Sequence, residues 1–332
     1  MRAVQVRTLD GPSAVVVTEV DPPSPRDGEV AVEVHAAGVN FPDVLISKGL
    51  YQYSPELPFT IGCDVAGVVR EVGPNVPRWN VGQRVAGFCG TGGLAEVAVL
   101  SSEALYDLPD GVTCPAGSAL ATNAFTAHFA LRRRGALLSG EKILVHGAGG
   151  GLGSATVQVA SAFGGSVMAV ASTPEKRAAA LQAGAERAVP AEQFPAAARD
   201  FTSGHGMGIV ADPVGAHLTD SLRALAPEGR LLVLGFAAGS IPEVRVNRLL
   251  LRNISVVGVG WGAFVQIHAD YVSQQWAELA PLVLARKIWP HLGETYSLDD
   301  VREALKAIEE RRSVGQTIVA VKPCRCGILI NP

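Results

Sequence analysis

The chain has 332 residues, 48% of them hydrophobic and 18% charged. That length corresponds to about two domains at roughly 150 residues each, and the composition excludes a disordered chain. Lys and Arg number 28 against 31 Asp and Glu, a net charge of −3; with no basic excess and no polybasic cluster, no nucleic-acid partner and no membrane surface is expected. The cysteines, Cys63, Cys89, Cys114, Cys324 and Cys326, are odd in number and the first three lie far apart, unlike a secreted disulfide framework. A reducing, cytoplasmic setting is therefore expected. The N-terminus has no apolar h-region, so no signal peptide is expected. Two stretches without Asp, Glu, Lys or Arg, 111–131 and 147–174, are interrupted by Gly, Pro or polar residues. They read as buried elements rather than membrane spans.

The first six residues alternate like a strand, and short β-branched runs follow at 15–17, 29–34, 65–72, 84–86 and 94–100. Punctuation such as Asp21-Pro22-Pro23 and Gly73-Pro74-Asn75 divides them, which gives the first third an all-β or barrel-like pattern. Near Pro115 the pattern changes. Residues 116–131 are long enough for a helix; strands at 142–146, 166–171, 209–212, 231–234 and 254–258 then alternate with helices at 154–163, 174–183 and 217–226. Thr173 is placed as a helix N-cap, with Pro174 at the first helical position. Alternating βαβ units predict an α/β fold with a doubly wound parallel sheet. Beyond Trp261 come helices at 271–286 and 298–312 and a last strand at 316–321.

One segment carries a chemical motif. An apolar strand, 142–146, runs into Gly147-Ala148-Gly149-Gly150-Gly151-Leu152-Gly153, and this turn opens a helix. Glycines there permit a tight turn and close approach of a pyrophosphate, and the helix N-terminus offers free N–H groups and a positive dipole end. Gly150 and Gly153 match the last two glycines of G-x-G-x-x-G, while Ala148 takes the place of the first. A glycine turn can also serve packing alone; its place inside a βαβ run points to a dinucleotide. The second strand ends in Ala171-Ser172-Thr173, without the acid that would hold a ribose 2′-OH, and Glu175, Lys176 and Arg177 follow. Hydroxyls and cations suit a 2′-phosphate, which predicts NADPH over NADH; the alternative is that Lys176 and Arg177 form only a solvated helix face. His146 reads as packed rather than catalytic.

The segments Ala37-Gly38-Val39-Asn40-Phe41-Pro42-Asp43, Lys48-Gly49-Leu50-Tyr51 and Pro58-Phe59-Thr60-Ile61-Gly62-Cys63-Asp64-Val65-Ala66-Gly67-Val68-Val69 form a specific set. With Gly82-Gln83-Arg84-Val85, the glycine turn, Asp212-Pro213-Val214-Gly215 and Gly229-Arg230-Leu231-Leu232-Val233-Leu234-Gly235, they resemble the medium-chain dehydrogenase/reductase superfamily. Within it the chain is similar to the zinc-independent quinone oxidoreductases related to zeta-crystallin. The resemblance implies a GroES-like catalytic domain begun by residues 1–120, a Rossmann domain over 121–262, and a return to the catalytic domain over 263–332, with 324–332 a flexible tail past the usual family end.

Zinc alcohol dehydrogenases of the superfamily carry Cys where Asn40 stands and a His-Glu pair where Cys63-Asp64 stand. A catalytic zinc needs about three Cys, His or carboxylate ligands, so no metal is expected; a soft-metal role for Cys324 and Cys326 rests on two ligands only. Without a Lewis acid, alcohol oxidation is hard, whereas a quinone or α,β-unsaturated carbonyl accepts hydride readily. By resemblance Asn40 and Thr126 contact the nicotinamide ribose or amide, and Gly235, Phe236, Val259, Gly260 and Trp261 lie along the nicotinamide. Arg311 matches a family arginine near the 2′-phosphate, or else is a solvated helix end. A family tyrosine flanking that phosphate is missing, the place reading Val189-Pro190-Ala191. Tyr51 sits where related enoyl-thioester reductases place a proton donor, and otherwise shapes the pocket. Asn40 and Asp43 are catalytic candidates or otherwise turn residues. The expectation is an NADPH-dependent, zinc-free quinone or enone reductase; the alternatives are an enoyl-CoA reductase using Tyr51 and a non-catalytic NADPH-binding structural or sensor protein. The resemblance also implies a homodimer, through the edge strand at 254–258.

Overall fold

The structure is a computed structural model and describes residues 1–322. The expected tail at 324–332, with Cys324 and Cys326, lies outside the described residues. The described chain divides into two compact units: Met1–Thr122 with Ala269–Ala277 and 292–322, and Asn123–His268 with Glu278–His291.

The first unit is β-rich. Its strands are β1 (Arg2–Val6), β2 (Val16–Glu19), β3 (Glu29–Val39), β4 (Phe59–Thr60), β5 (Asp64–Val72), β6 (Arg84–Phe88), β7 (Val97–Ser101) and β8 (Leu105–Asp107). A short helix, α1 (Phe41–Ser47), follows β3, and α2 (Cys114–His128) leads into the second unit. β1 pairs on either side with β2 and β4. The larger sheet runs through β3, β5, β6 and β8 in antiparallel ladders, with β7 on β3. Valines dominate the core it closes, among them Val4, Val32, Val34, Val65 and Val85. β-Branched residues suit a pleated, buried surface.

The second unit carries the predicted parallel sheet. Its strands are β9 (Lys142–Val145), β10 (Ser166–Val170), β11 (Arg187–Val189), β12 (Met207–Asp212), β13 (Leu225–Val233) and β14 (Ser255–Gly258). They lie in the order β11-β10-β9-β12-β13-β14, every ladder parallel. The connecting helices are α3 (Gly151–Ala162), α4 (Pro174–Gln182), α5 (Phe194–Phe201), α6 (Leu218–Ala224) and α7 (Asn247–Leu250). Thr173 caps α4 as expected, its hydroxyl accepting from the Lys176 N–H at 3.3 Å. β14 ends the sheet, the edge position expected for 254–258. The α8 helix (Trp261–Ile267) follows. Among the described residues, no helix is long and apolar enough to cross a membrane.

The chain then passes through α9 (Tyr271–Leu284) and returns to the first unit as β15 (Leu292–Ser297), α10 (Val301–Glu309) and β16 (Gln316–Ala320). β16 lies antiparallel on β3, and β15 parallel on β16. The return therefore differs from a single crossing at 263. Residues 263–268 and 278–291 group with the second unit. In α9, Trp276 packs on Tyr106 with ring centroids 4.5 Å apart and bonds Asp107, within the first unit. Glu278, two residues on, pairs with His128 of the second unit at 3.2 Å. Helical periodicity marks an apolar face but not the body it packs on. β3 runs five residues beyond the expected 29–34. Its extension, His-Ala-Ala-Gly-Val, is buried throughout, so no alternation betrays it.

Candidate active site

In the second unit, β9 delivers the chain into the glycine turn. Gly147 takes a positive φ of 59°, open to glycine without strain, and the Gly150 N–H closes the turn on the Gly147 carbonyl at 3.1 Å. Gly150 is the N-cap of α3. The N–H groups of Gly151, Leu152 and Gly153 occupy the first turn of the helix, where no intrahelical acceptor exists. A Cβ on Gly153 would stand 2.1 Å from the Gly147 carbonyl oxygen, so no other residue fits this packing. A Cβ on Gly149 would meet Lys176 Cβ at 2.4 Å, so the start of α4 lies directly against the turn. The start of α4 thus lies beside the turn, and the free N–H groups and positive dipole end of α3 suit a diphosphate.

The residues expected at a 2′-phosphate divide. Ser172 is exposed and Lys176 flanks the turn. Thr173 is committed to its cap. Arg177 donates to the carbonyls of Ala171 and Ser172 at 3.2 and 2.9 Å, finishing β10 rather than standing free in solvent. Glu175 is exposed, its carboxyl held below the usual range by its own backbone N–H and the Thr173 hydroxyl. Arg311 belongs to the first unit, in an exposed turn after α10 with φ 58°.

The nicotinamide candidates of this unit other than Thr126 lie just past the C-terminal ends of β13 and β14. Asp212 ends β12 and accepts from the Val214 and Gly215 N–H groups at 2.8 and 2.9 Å, which shapes the next loop. Gly235 and Phe236 follow β13, and a Cβ on Gly215 would come within 3.2 Å of the Phe236 ring. The Val259 N–H bonds the Val233 carbonyl, and Gly260 caps α8. Trp261 is buried against Phe125, ring centroids 5.9 Å apart, so it supports α2 beside Thr126. His146 is buried, its Nε2 2.8 Å from Ser221 Oγ, and burial pushes its imidazole well below the ordinary histidine range. It is a packed neutral group, as expected.

In the first unit a polar knot forms where β3 gives way to α1. The Asn40 N–H donates to Asp43 Oδ2 at 2.7 Å, tying off the helix start, and the Cys63 thiol donates to Asp43 Oδ1 at 3.1 Å. Asn40 Nδ2 donates to Asp64 Oδ2 at 2.8 Å. Thr122, on α2, gives Asp64 two more donors, its N–H at 3.2 Å and its hydroxyl at 2.6 Å. Gln316, the first residue of β16, donates to the Val39 carbonyl at 3.0 Å and to Asn40 Oδ1 at 3.2 Å. Burial pushes the Asp43 carboxyl up to about 6 and that of Asp64 up to about 7, against these donors. Asp43 is fully buried, with one oxygen accepting from the Asn40 N–H and the other from the Cys63 thiol.

Tyr51 follows α1 after the turn at Gly49 and is half-buried. Burial, then the nearby Cys63 and Asp43, raises its phenol above the usual value. It stays a neutral hydrogen-bond donor across the physiological range. Sequence reasoning missed Thr122 and Gln316 as site residues and saw Asp64 only at a zinc-ligand position; none has a local signal, since their partners lie 24 to 277 residues away.

These residues do not fit a catalytic zinc. Asn40 is an amide held between Gln316 and Asp64, and burial raises the Cys63 thiol far above its ordinary value. Among the described residues, no group of three or more His, Cys, Asp or Glu could hold a metal ion.

A β-rich unit interrupted by a parallel-sheet unit with a glycine turn defines the class of two-domain, nucleotide-dependent dehydrogenases and reductases. Residues 26–110 match the alcohol dehydrogenase GroES-like domain, and residues 151–285 match the family described as zinc-binding dehydrogenase. The latter stretch contains no cysteine. Quinone oxidoreductase-like protein 2 of Bos taurus is 35% identical over 93% of this chain and 89% of its own. The quinone oxidoreductase of Homo sapiens is 33% identical over 92% of each. The quinone oxidoreductase of Thermus thermophilus, solved alone and with NADPH, superposes with a TM-score of 0.85 at 34% identity, over 97% of this chain and all of that one. The chain belongs to the medium-chain dehydrogenase/reductase superfamily, among the quinone oxidoreductase-like oxidoreductases.

Proposed function

We propose that the protein is a zinc-free NADPH-dependent reductase of quinones or related α,β-unsaturated carbonyls. The observation that carries this reading is the turn at Gly147–Gly153, where neither Gly149 nor Gly153 has room for a Cβ and the chain passes straight into the start of α3, whose first N–H groups have no intrahelical acceptor. The N–H groups of Gly151, Leu152 and Gly153 would hold the diphosphate, and Ser172 and Lys176 the 2′-phosphate. Asn40 and Thr126 would meet the nicotinamide end. Once bound, the reduced nicotinamide supplies the hydride.

The chain's own residues then have three tasks. They fix the nicotinamide, keep the site clear of competing ionisations, and offer a donor to the acceptor oxygen as charge gathers there. Tyr51 suits the last, because its raised phenol holds its proton until an oxygen of higher basicity forms. An ortho-quinone needs this donor less than an enoyl thioester does. That is the physical basis for a second reading, an enoyl-CoA reductase with Tyr51 as acid. NADPH oxidation against an ortho-quinone and crotonyl-CoA in parallel separates them: fast loss with the quinone alone supports the first reading, fast loss with the thioester the second. NADPH binding without turnover of either acceptor would leave a nucleotide-binding sensor.

A homodimer is part of the same proposal. β14 is an open sheet edge, and Leu250 and Leu251 just before it are 76% and 78% exposed. An apolar edge of this kind pairs with a second copy more readily than it stays in water. Light scattering of the full chain tests this, and a monomer refutes it. A cytoplasmic location fits the free thiols of Cys63, Cys89 and Cys114.

A further inference from the structure

Asn40 is the one nicotinamide candidate whose side chain is gripped at both ends. A carboxamide reads the same shape with its oxygen and nitrogen exchanged, so its orientation must come from its neighbours. Here the neighbours settle it in sequence. The Val39 carbonyl can only accept, so the Gln316 atom 3.0 Å away is the amide nitrogen, Nε2. That same nitrogen lies 3.2 Å from Asn40, so the Asn40 atom facing it is the oxygen, the atom that also accepts from the Asp43 N–H in the capping box of α1. The Asn40 nitrogen then faces Asp64, whose carboxylate accepts it at 2.8 Å.

Gly38 is an independent sign that this arrangement is built in. A Cβ there would meet Gln316 Nε2 at 3.2 Å and Asp64 Cβ at 3.3 Å, as well as the Ser118 carbonyl at 2.9 Å. Both gripping side chains approach β3 at the one residue that leaves them room. Asp64 is anchored in turn by Thr122, whose hydroxyl bonds Oδ1 while Oδ2 receives Asn40. If Asp64 takes up a proton on Oδ1, the hydroxyl can turn from donor to acceptor. Oδ2 is then undisturbed and the grip on Asn40 survives.

We propose that Gln316 and Asp64 are positioning residues that lock the Asn40 carboxamide in one orientation, oxygen toward Gln316 and nitrogen toward Asp64, and that the nicotinamide end of the cofactor reads this orientation. The proposal rests on the assignment of Asn40 to the nicotinamide. Gln316 touches no reacting atom. It is supplied by β16, 276 residues from the side chain it orients.

The test is a double-substitution cycle read by NADPH fluorescence titration and by turnover of an ortho-quinone. Gln316→Met keeps the volume and removes the donor. It should raise the NADPH Kd about fivefold and lower kcat about tenfold at an unchanged acceptor KM. In an Asn40→Ala background the same substitution should change either quantity less than about twofold, because nothing remains to be oriented. Equal effects in both backgrounds, or wild-type values in Gln316→Met, overturn the proposal. Gln316→Glu covers a folding failure of the methionine variant. Ionised, it repels the two oxygens it faces; protonated, it donates again. Its activity relative to wild type should therefore recover as pH falls from about 8 to about 5.5, and a flat ratio overturns the proposal. A wild type that binds NADPH but reduces no acceptor fails the functional reading alone, since the Kd cycle still decides the positioning role. A wild type that does not bind NADPH fails both.

Discussion

The residues at 147–153 of the second unit make a surface by leaving side chains out, whereas Asn40, Asp43, Cys63, Asp64, Thr122 and Gln316 of the first make one by satisfying side chains in burial. The first construction leaves the N–H groups at the start of α3 without intrahelical acceptors, the kind of donor a phosphate can use. The second commits its donors and acceptors to one another and holds a single carboxamide still. They should fail in opposite ways: the glycine turn when an atom is added, the polar knot when a partner is taken away.

The largest effect should come from an added methyl. Gly153→Ala places its Cβ against the Gly147 carbonyl, and only backbone can yield. NADPH affinity should fall more than about 100-fold, with a lower melting temperature. Gly150→Ala sharpens the contrast, because its nearest neighbour would be 3.7 Å away. Melting should stay within about 2 °C while binding weakens about tenfold, the new methyl meeting only the nucleotide. Unchanged binding in both variants would break the reading of the turn as a cradle.

Removing a partner from the knot should act on stability. Asp64→Ala strands the Asn40 amide and both Thr122 donors, at a cost of about 3 kcal/mol in urea unfolding near pH 5. That cost should shrink toward pH 8. Asp43 and Asp64 titrate near 6 and 7 when folded, against about 4 unfolded. The folded state thus holds protons the unfolded chain has already released, and wild-type stability should fall as pH rises from about 4 to about 7. Asp64→Ala should flatten that decline by about one proton; an unchanged slope would place the titration elsewhere.

Tyr51→Phe should lower turnover of crotonyl-CoA about 30-fold or more and affect an ortho-quinone by less than about threefold. Equal losses would make the phenol a wall rather than a donor. The smallest effect should be that of Lys176→Ala. It should weaken NADPH about tenfold and NADH hardly at all, since only the former carries a 2′-phosphate. Wild-type NADH binding as tight as NADPH would remove the premise.

The glycine turn was legible because everything it needs is local: an apolar strand, glycines where φ turns positive or a Cβ has no room, and a helix start, all between 142 and 162. The cap at Thr173 and Pro174 was legible for the same reason. The short strands β8 and β11, of three residues each, were not placed, because so few residues carry no period, and β15 was not placed because its six residues, mostly exposed, show no apolar alternation. Asp43 read equally as a catalytic candidate or a turn group, and its burial and its bond to Cys63, twenty residues on, left no local mark in the sequence.

By itself the sequence determined an α/β chain with a nucleotide turn and a family resemblance, since period, glycine placement and capping act over a few residues and leave their mark in order along the chain. The tertiary structure alone decided that α9 serves two units and that β16 comes back to lie on β3. It also set Asn40 between Asp64 and Gln316. Hydrogen bonds between residues 24 and 276 positions apart form only once the sheet has closed, and no local pattern is required to announce them.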